Sequence, residues 1–133
     1  MQAGSTPVPA VVDTSVLIDH LRGREQARSL LAGELSRGEP LYASVLTKVE
    51  VLAGMRPGEE RATTALLDLM IWVEVSDAIA EQAGALANHY LRTHPGVDLV
   101  DYVVAATRES LYLPLWTLNV RHFPMIDGLA PPY

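Results

Sequence analysis

The sequence contains no cysteine in its 133 residues. This absence excludes disulfide bonds, catalysis by a thiolate and zinc sites built on cysteine ligands. It is also in keeping with a reducing compartment, so we expect a cytoplasmic protein.

Long apolar runs are missing as well. No stretch approaches the roughly 18 apolar residues that a membrane helix needs, so the sequence predicts no membrane segment. The N-terminal stretch from Met1 to Pro9 lacks both the basic region and the apolar core of a secretory signal. We therefore expect residues 1–7 to form a short flexible lead, and the length favours one domain spanning residues 1–133.

Positive charge is scarce, because ten lysines and arginines stand against sixteen acidic residues and give a net charge of -6. Contacts to phosphate usually come from a basic surface, so this balance argues against a protein that coats nucleic acid. It does not exclude a nuclease, whose catalytic carboxylates contribute to the negative charge. Composition alone leaves the function open.

Apolar runs rich in β-branched residues alternate along the chain with segments of helical periodicity. Strands are predicted at Val8–Val12, Leu41–Ala43, Ile71–Val75 and Leu115–Leu118. Helices are predicted after Asp13 as far as Gly23, at Glu25–Ser36, Ser44–Gly54 and Glu59–Met70, from Ser76 or Asp77 to before Pro95, at Asp98–Tyr112, and as a short turn at Val120–Phe123. The alternation predicts an α/β fold of three layers, α/β/α, with a mostly parallel sheet of four or five strands. Ligands in such folds gather at the carboxyl ends of the strands.

Asp13 directly follows the first predicted strand and so lies at that edge of the sheet. Its position is explained equally well by an N-cap of the helix that follows, and one residue can have both roles. Asp13 is therefore a candidate for the functional site without being proof of one.

Glu50 and Asp101 are acidic residues on otherwise apolar helix faces. The helical neighbours of Glu50 include Leu46 and Ala53, so we expect its charge to need a partner, either in a site or in a structural salt bridge. Asp101 lies in the first turn of its helix, where a carboxylate can simply complement the helix dipole. Asp98 is interpreted as the N-cap of that helix.

If Asp13, Glu50 and Asp101 converge, three like charges meet within a few ångströms and need protons or a cation to compensate them. Carboxylate oxygens without a cluster of histidine or cysteine favour Mg²⁺ or Mn²⁺ over zinc. Such an ion can lower the pKa of a bound water and neutralise charge on a phosphoryl group. The constellation therefore favours phosphodiester hydrolysis.

Four segments of the sequence resemble, in order, the motifs of the PIN-domain family, in particular its VapC-type toxins. They are V-V-D-T-S-V-L-I-D from Val11, S-V-L-T-K-V-E-V-L-A-G from Ser44, D-Y-V-V-A-A-T from Asp101, and W-T-L-N-V-R-H-F-P from Trp116 with the terminal G-L-A-P-P-Y. The resemblance covers nearly the whole chain from Val11 onward. It implies a metal-dependent endoribonuclease that is the toxin of a type II toxin-antitoxin system.

By this resemblance Asp13, Glu50 and Asp101 correspond to the metal-binding acids, and Ser15 and Thr47 to polar residues beside the site. A further position of the family falls on Asn119, where an acidic residue is replaced by an amide, so we expect a second metal to bind weakly or not at all. Asn119 is also explained as a helix cap. The four histidines, among them His122, lie on unrelated elements and are expected to be surface or capping residues.

The resemblance also implies partners: an RNA substrate, a cognate VapB-type antitoxin and a second copy in a homodimer. We expect the helices between about Ser15 and Met70 to offer the antitoxin an apolar groove. The alternative is a PIN-like module that binds RNA or protein without cutting, and Asn119 leaves that alternative open.

Overall fold

The fold is taken from a computed structural model that describes residues 9–133. Its strands are β1 (Ala10–Val12), β2 (Leu41–Ser44), β3 (Ile71–Val73) and β4 (Leu115–Trp116). Its helices are α1 (Thr14–Leu21), α2 (Glu25–Ser36), α3 (Val45–Ala53), α4 (Glu60–Leu67), α5 (Asp77–Tyr90) and α6 (Leu99–Leu111), with a 3-10 turn at Val120–His122. Every predicted element is present. The predicted lead and Val8 lie outside the described residues.

The four strands form one parallel sheet in the order β3-β2-β1-β4. Because β1 pairs with β2 on one side and with β4 on the other, it is a central strand, and Asp13 follows its last residue. The predicted position of Asp13 at the carboxyl edge of a central strand is confirmed. The prediction of a mostly parallel sheet of four or five strands is confirmed as well.

Helices cover both faces of the sheet, because successive side chains of a strand point to opposite faces. Val12 packs with Leu17, Leu31 and Val51 in a core beneath α1 to α4. Its neighbour Val11 packs with residues such as Val104 in a second core beneath α6. The predicted three-layer α/β/α arrangement is therefore confirmed.

The predicted elements differ from the observed ones mainly at their ends. Strand β3 stops at Val73, two residues before the predicted end, and β4 stops at Trp116. Helix α5 ends at Tyr90, before the Pro95 and Gly96 that were expected to end it. For the two strands, the cause is that β-branched and apolar residues continue past the last paired residue, so composition overestimates strand length.

None of the helices in the part of the chain that the structure describes has the length and apolarity to cross a bilayer.

Candidate metal centre

A cavity of about 440 Å³ opens at the carboxyl edge of the sheet, between the start of α1, the start of α6 and the segment after β4. Five acidic residues line it: Asp13, Asp19, Glu50, Asp98 and Asp101. Among its lining residues the only basic side chain is that of His122. The parallel sheet and the crossovers thus bring together acids that are far apart in the sequence.

Asp13 is the most deeply buried of these acids and takes the N-cap position of α1. Its side chain makes no capping hydrogen bond, however, and instead accepts a hydrogen bond of 2.8 Å from the hydroxyl of Thr117. Burial raises the pKa of Asp13, the Thr117 hydroxyl opposes that rise, and the negative charge of Glu50 adds to it. The carboxylate is therefore oriented across the sheet toward the site rather than used to cap the helix.

A small hydroxyl network fixes the segment after β4 against α1. The Thr117 hydroxyl accepts a hydrogen bond of 3.0 Å from the backbone N–H of Asn119, and the Ser15 hydroxyl accepts one of 3.0 Å from the backbone N–H of Leu118. The two hydroxyl oxygens of Ser15 and Thr117 lie 3.3 Å apart. Ser15 therefore positions the loop that carries Asn119.

Asp101 lies in the first turn of α6 and faces the cavity. Its carboxylate accepts a hydrogen bond of 3.1 Å from the backbone N–H of Asp98, the N-cap residue, and lies 3.4 Å from Nδ1 of His122. Burial raises the pKa of Asp101 to about 6, with a further rise from the charge of Asp13 and an opposing contribution from the Asp98 N–H. Asp98 caps the helix as predicted, and it also lines the cavity.

Glu50 is exposed to solvent, so the expectation that its charge needs a partner because it lies on an apolar helix face is wrong. The buried face of α3 is formed by Thr47 and Val51, whereas Ala53 on the side of Glu50 is open to solvent. Glu50 lines the cavity, where its carboxylate accepts a hydrogen bond of 2.6 Å from the hydroxyl of Thr14. No basic residue pairs with it in residues 9–133.

The remaining candidate residues are placed differently from one another. Asn119 lines the cavity and is exposed; it precedes the 3-10 turn, but its side chain makes no capping hydrogen bond. Thr47 is fully buried within α3 and does not line the cavity, and its hydroxyl has no hydrogen-bond partner among the described residues. Ser15 lines the cavity beside Asp13. The roles assigned to these residues stay predictions.

The donor set fits a hard cation in kind, because the cavity is lined by carboxylate oxygens. Burial and the neighbouring negative charges raise the pKa values of Asp13 and Asp101, and a cation would relieve that repulsion. As the side chains stand, no three acidic or histidine groups in residues 9–133 lie close enough together to hold a metal ion. A bound metal would therefore require these side chains to come closer together than they stand here.

Apart from Asp98, three polar residues of the cavity were not predicted from the sequence as part of the site. His122 was expected at the surface, but the 3-10 turn after β4 places its ring beside Asp101. Thr14 and Asp19 follow the first acid on α1, and no sequence signal distinguishes them from ordinary helical polar residues. The four-residue spacing from Ser15 to Asp19, which places both on one helix face, is the one pattern that could have indicated Asp19.

Comparison with known proteins identifies the family. The family model described as PIN domain matches residues 10–127. The chain therefore belongs to the PIN-domain family. It is 44% identical over 123 residues to Ribonuclease VapC19 of Mycobacterium tuberculosis, covering 92% of this chain and 98% of that protein. It is 42% identical over 123 residues to Ribonuclease VapC10 of the same organism, covering 92% of each.

Solved structures include the same fold. A toxin-antitoxin complex from Klebsiella pneumoniae contains a chain that is 29% identical and superposes with a TM-score of 0.74, covering 93% of this chain and 98% of that one. The resemblance to VapC proteins inferred from four short motifs is thus confirmed over most of the sequence.

Proposed function

We propose that this chain is a ribonuclease of the VapC type, which hydrolyses RNA phosphodiester bonds and acts as the toxin of a toxin-antitoxin pair. The observation that carries the proposal is the convergence of Asp13, Glu50 and Asp101 on one cavity at the carboxyl edge of the sheet. The identity to relatives named ribonucleases supports the same reaction.

The proposed cofactor is Mg²⁺ or Mn²⁺, held by Asp13, Glu50 and Asp101. When bound, it would supply charge neutralisation at the scissile phosphate and an activated water, so we expect product ends with a 5′-phosphate and a 3′-hydroxyl. The chain's own contribution is orientation: the Thr117 hydroxyl holds Asp13, and the Asp98 N–H holds Asp101. Asn119 offers an exposed amide N–H that can donate to a phosphate oxygen, where a carboxylate would repel it.

The proposed protein partners are a VapB-type antitoxin and a second copy of the chain. The chain itself is proposed to form a single domain. Support comes from exposed apolar side chains on α3, Val49 and Leu52, and from Leu69 just after α4. Large apolar side chains exposed to solvent are typical of surfaces that another protein covers when they form one patch. The Klebsiella pneumoniae structure is itself described as a toxin-antitoxin complex.

The test is sequencing of RNA ends after induced expression of the parent chain, Asp13→Ala and Ser110→Ala. Ser110 lies at the end of α6, away from the cavity, and makes a hydrogen bond to its own helix, so its variant is a matched control. We expect new 5′-phosphate ends with the parent and with Ser110→Ala, and none with Asp13→Ala. Purified protein should lose the activity in EDTA and regain it with Mg²⁺.

Two outcomes would oppose the proposal. Ends that carry a cyclic phosphate would indicate attack by the ribose 2′-hydroxyl rather than by water. RNA that is bound but left intact, whatever the concentration of Mg²⁺, would favour the alternative of a module that binds without cutting.

A further inference from the structure

We propose that Thr14 is a positioning residue that sets the orientation of Glu50 for metal binding. The inference rests on the proposed function, since it concerns the same carboxylates. It assigns a role to a residue that lies in the first sequence motif, between the acid Asp13 and the polar Ser15, and to which the sequence analysis gave no role.

The hydrogen bond between Thr14 and Glu50 joins two helices that are distant in the sequence. Thr14 is the first residue of α1, Glu50 lies in α3, and the Thr14 hydroxyl donates to Oε1 at 2.6 Å. A hydroxyl donor at this distance from a carboxylate belongs to the stronger, charge-assisted class of hydrogen bond. The contact therefore holds Glu50 at the cavity wall.

Glu50 depends on this contact more than the other acids depend on theirs. Asp13 and Asp101 are short side chains fixed by burial and by donors from Thr117 and Asp98. Glu50 has a longer side chain, is exposed, and makes no other side-chain hydrogen bond or ion pair in residues 9–133. Without Thr14 its carboxylate would be free to turn into solvent, and ordering it on metal binding would cost conformational entropy.

The bond also leaves one carboxylate oxygen available. Oε1 accepts from Thr14, while Oε2 has no hydrogen bond among the described residues. Outer-shell donors of this kind orient metal ligands, and losing one typically lowers metal affinity by about 10- to 100-fold. Thr14 thus has the geometry of such a donor.

The experiment is calorimetric titration of Mn²⁺ into the full-length chain, comparing the parent with Thr14→Val, Thr14→Ser and Ser110→Ala. Valine keeps the shape of threonine and removes the hydroxyl, whereas serine keeps the hydroxyl. We expect Thr14→Val to weaken Mn²⁺ binding by about 10-fold or more, and Thr14→Ser and Ser110→Ala to bind like the parent. Thermal melting without metal identifies any variant that fails to fold. If Thr14→Val fails to fold, the Mn²⁺ affinity of Thr14→Ser decides the question.

Parental affinity in a folded Thr14→Val, or an equal loss in Thr14→Ser, would overturn the role of Thr14 while leaving the metal site intact. A separate titration of Asp13→Ala reports on the site itself. If the parent and Asp13→Ala bound Mn²⁺ equally, the proposed metal site would fail, and the role of Thr14 with it.

Discussion

Thr117 and Asp13 are joined by a hydrogen bond of 2.8 Å between residues 104 positions apart in the sequence. Both side chains are buried, and the bond links the segment after β4 to the end of β1. It is therefore both a structural link between neighbouring strands and the contact that orients the most buried acid of the proposed site.

Replacing Thr117 with valine should destabilise the protein by about 1–3 kcal/mol, because a buried carboxylate loses its hydrogen-bond donor. The matched control is Thr107→Val, since the buried Thr107 hydroxyl donates only to the Val103 carbonyl of its own helix. Urea unfolding at neutral pH measures both free energies of unfolding. An equal loss in the two variants would mean that the bond to Asp13 has no special importance.

Replacing Asp13 with asparagine should abolish RNA cleavage, with a loss of at least about 100-fold, because removing the charge of a metal ligand costs several kcal/mol in the transition state. Asn119→Ala should lose less, because it removes no charge. Initial rates of cleavage with saturating Mg²⁺ provide the comparison. Without metal we expect Asp13→Asn to melt at or above the temperature of the parent, because repulsion from Glu50 falls. Parental rates in Asp13→Asn would contradict the assignment.

The stability of the metal-free protein should depend on pH through Asp101. Its pKa is about 6 in the folded chain and has a reference value of 3.8, so the folded state binds the proton more tightly than the unfolded state. This contribution to stability is fully present below pH 3.8 and is lost as the pH rises through about 6. The measurement is the difference in unfolding free energy between the parent and Asp101→Asn from pH 4 to 7, since asparagine keeps an acceptor for the Asp98 N–H. A difference that does not change with pH would show that Asp101 is not perturbed.

Mg²⁺ should reverse this trend. Because a cation requires the ionised carboxylates, its affinity should rise as the pH increases through about 6. Thermal shift at several pH values, with and without Mg²⁺, checks the expected gain. Stabilisation by Mg²⁺ that is as large at pH 4.5 as at pH 7 would contradict a site made of these acids.

Replacing Tyr133 with phenylalanine should lower stability by about 1 kcal/mol, because its hydroxyl donates to Asp19 at 2.8 Å and ties the last residue to α1. Tyr112→Phe is the control: that side chain is 94% exposed, and its variant should stay within about 0.5 kcal/mol of the parent. Denaturant unfolding distinguishes the two. Loss of stability in Tyr112→Phe alone would refute the assignment.

The fold could be predicted from the sequence because its signals are local and repeated. Val11 and Val12 lie in an apolar run, Asp13 follows it, and the alternation with helices restricts the sheet to parallel strands with right-handed crossovers. These rules also place Asp13 at the correct edge. The ends of β3 and β4 were harder to predict, since pairing with a neighbouring strand, rather than composition, determines where a strand stops.

The site could be predicted only in part. The acids Asp13 and Asp101 were recognisable because they interrupt apolar patterns, and the same argument gave Glu50 for a reason that the structure contradicts. His122 and Thr14 could not be found in this way, because their importance comes from contacts with residues 21 and 36 positions away. Such contacts depend on how helices pack, and a single sequence has no periodicity that encodes them.

The order of the strands determines when the surroundings of Asp13 can be completed as the chain is made. Strand β1 lies between β2 and β4, so one of its edges stays without a partner until β4 has been made. Asp13 receives its hydrogen bond from Thr117 only at that point. A nascent chain that ends before β4 therefore has Asp13, Glu50 and Asp101 but lacks the hydrogen bond that orients Asp13. The proposed site can therefore be complete only after residues 115–117 have been added.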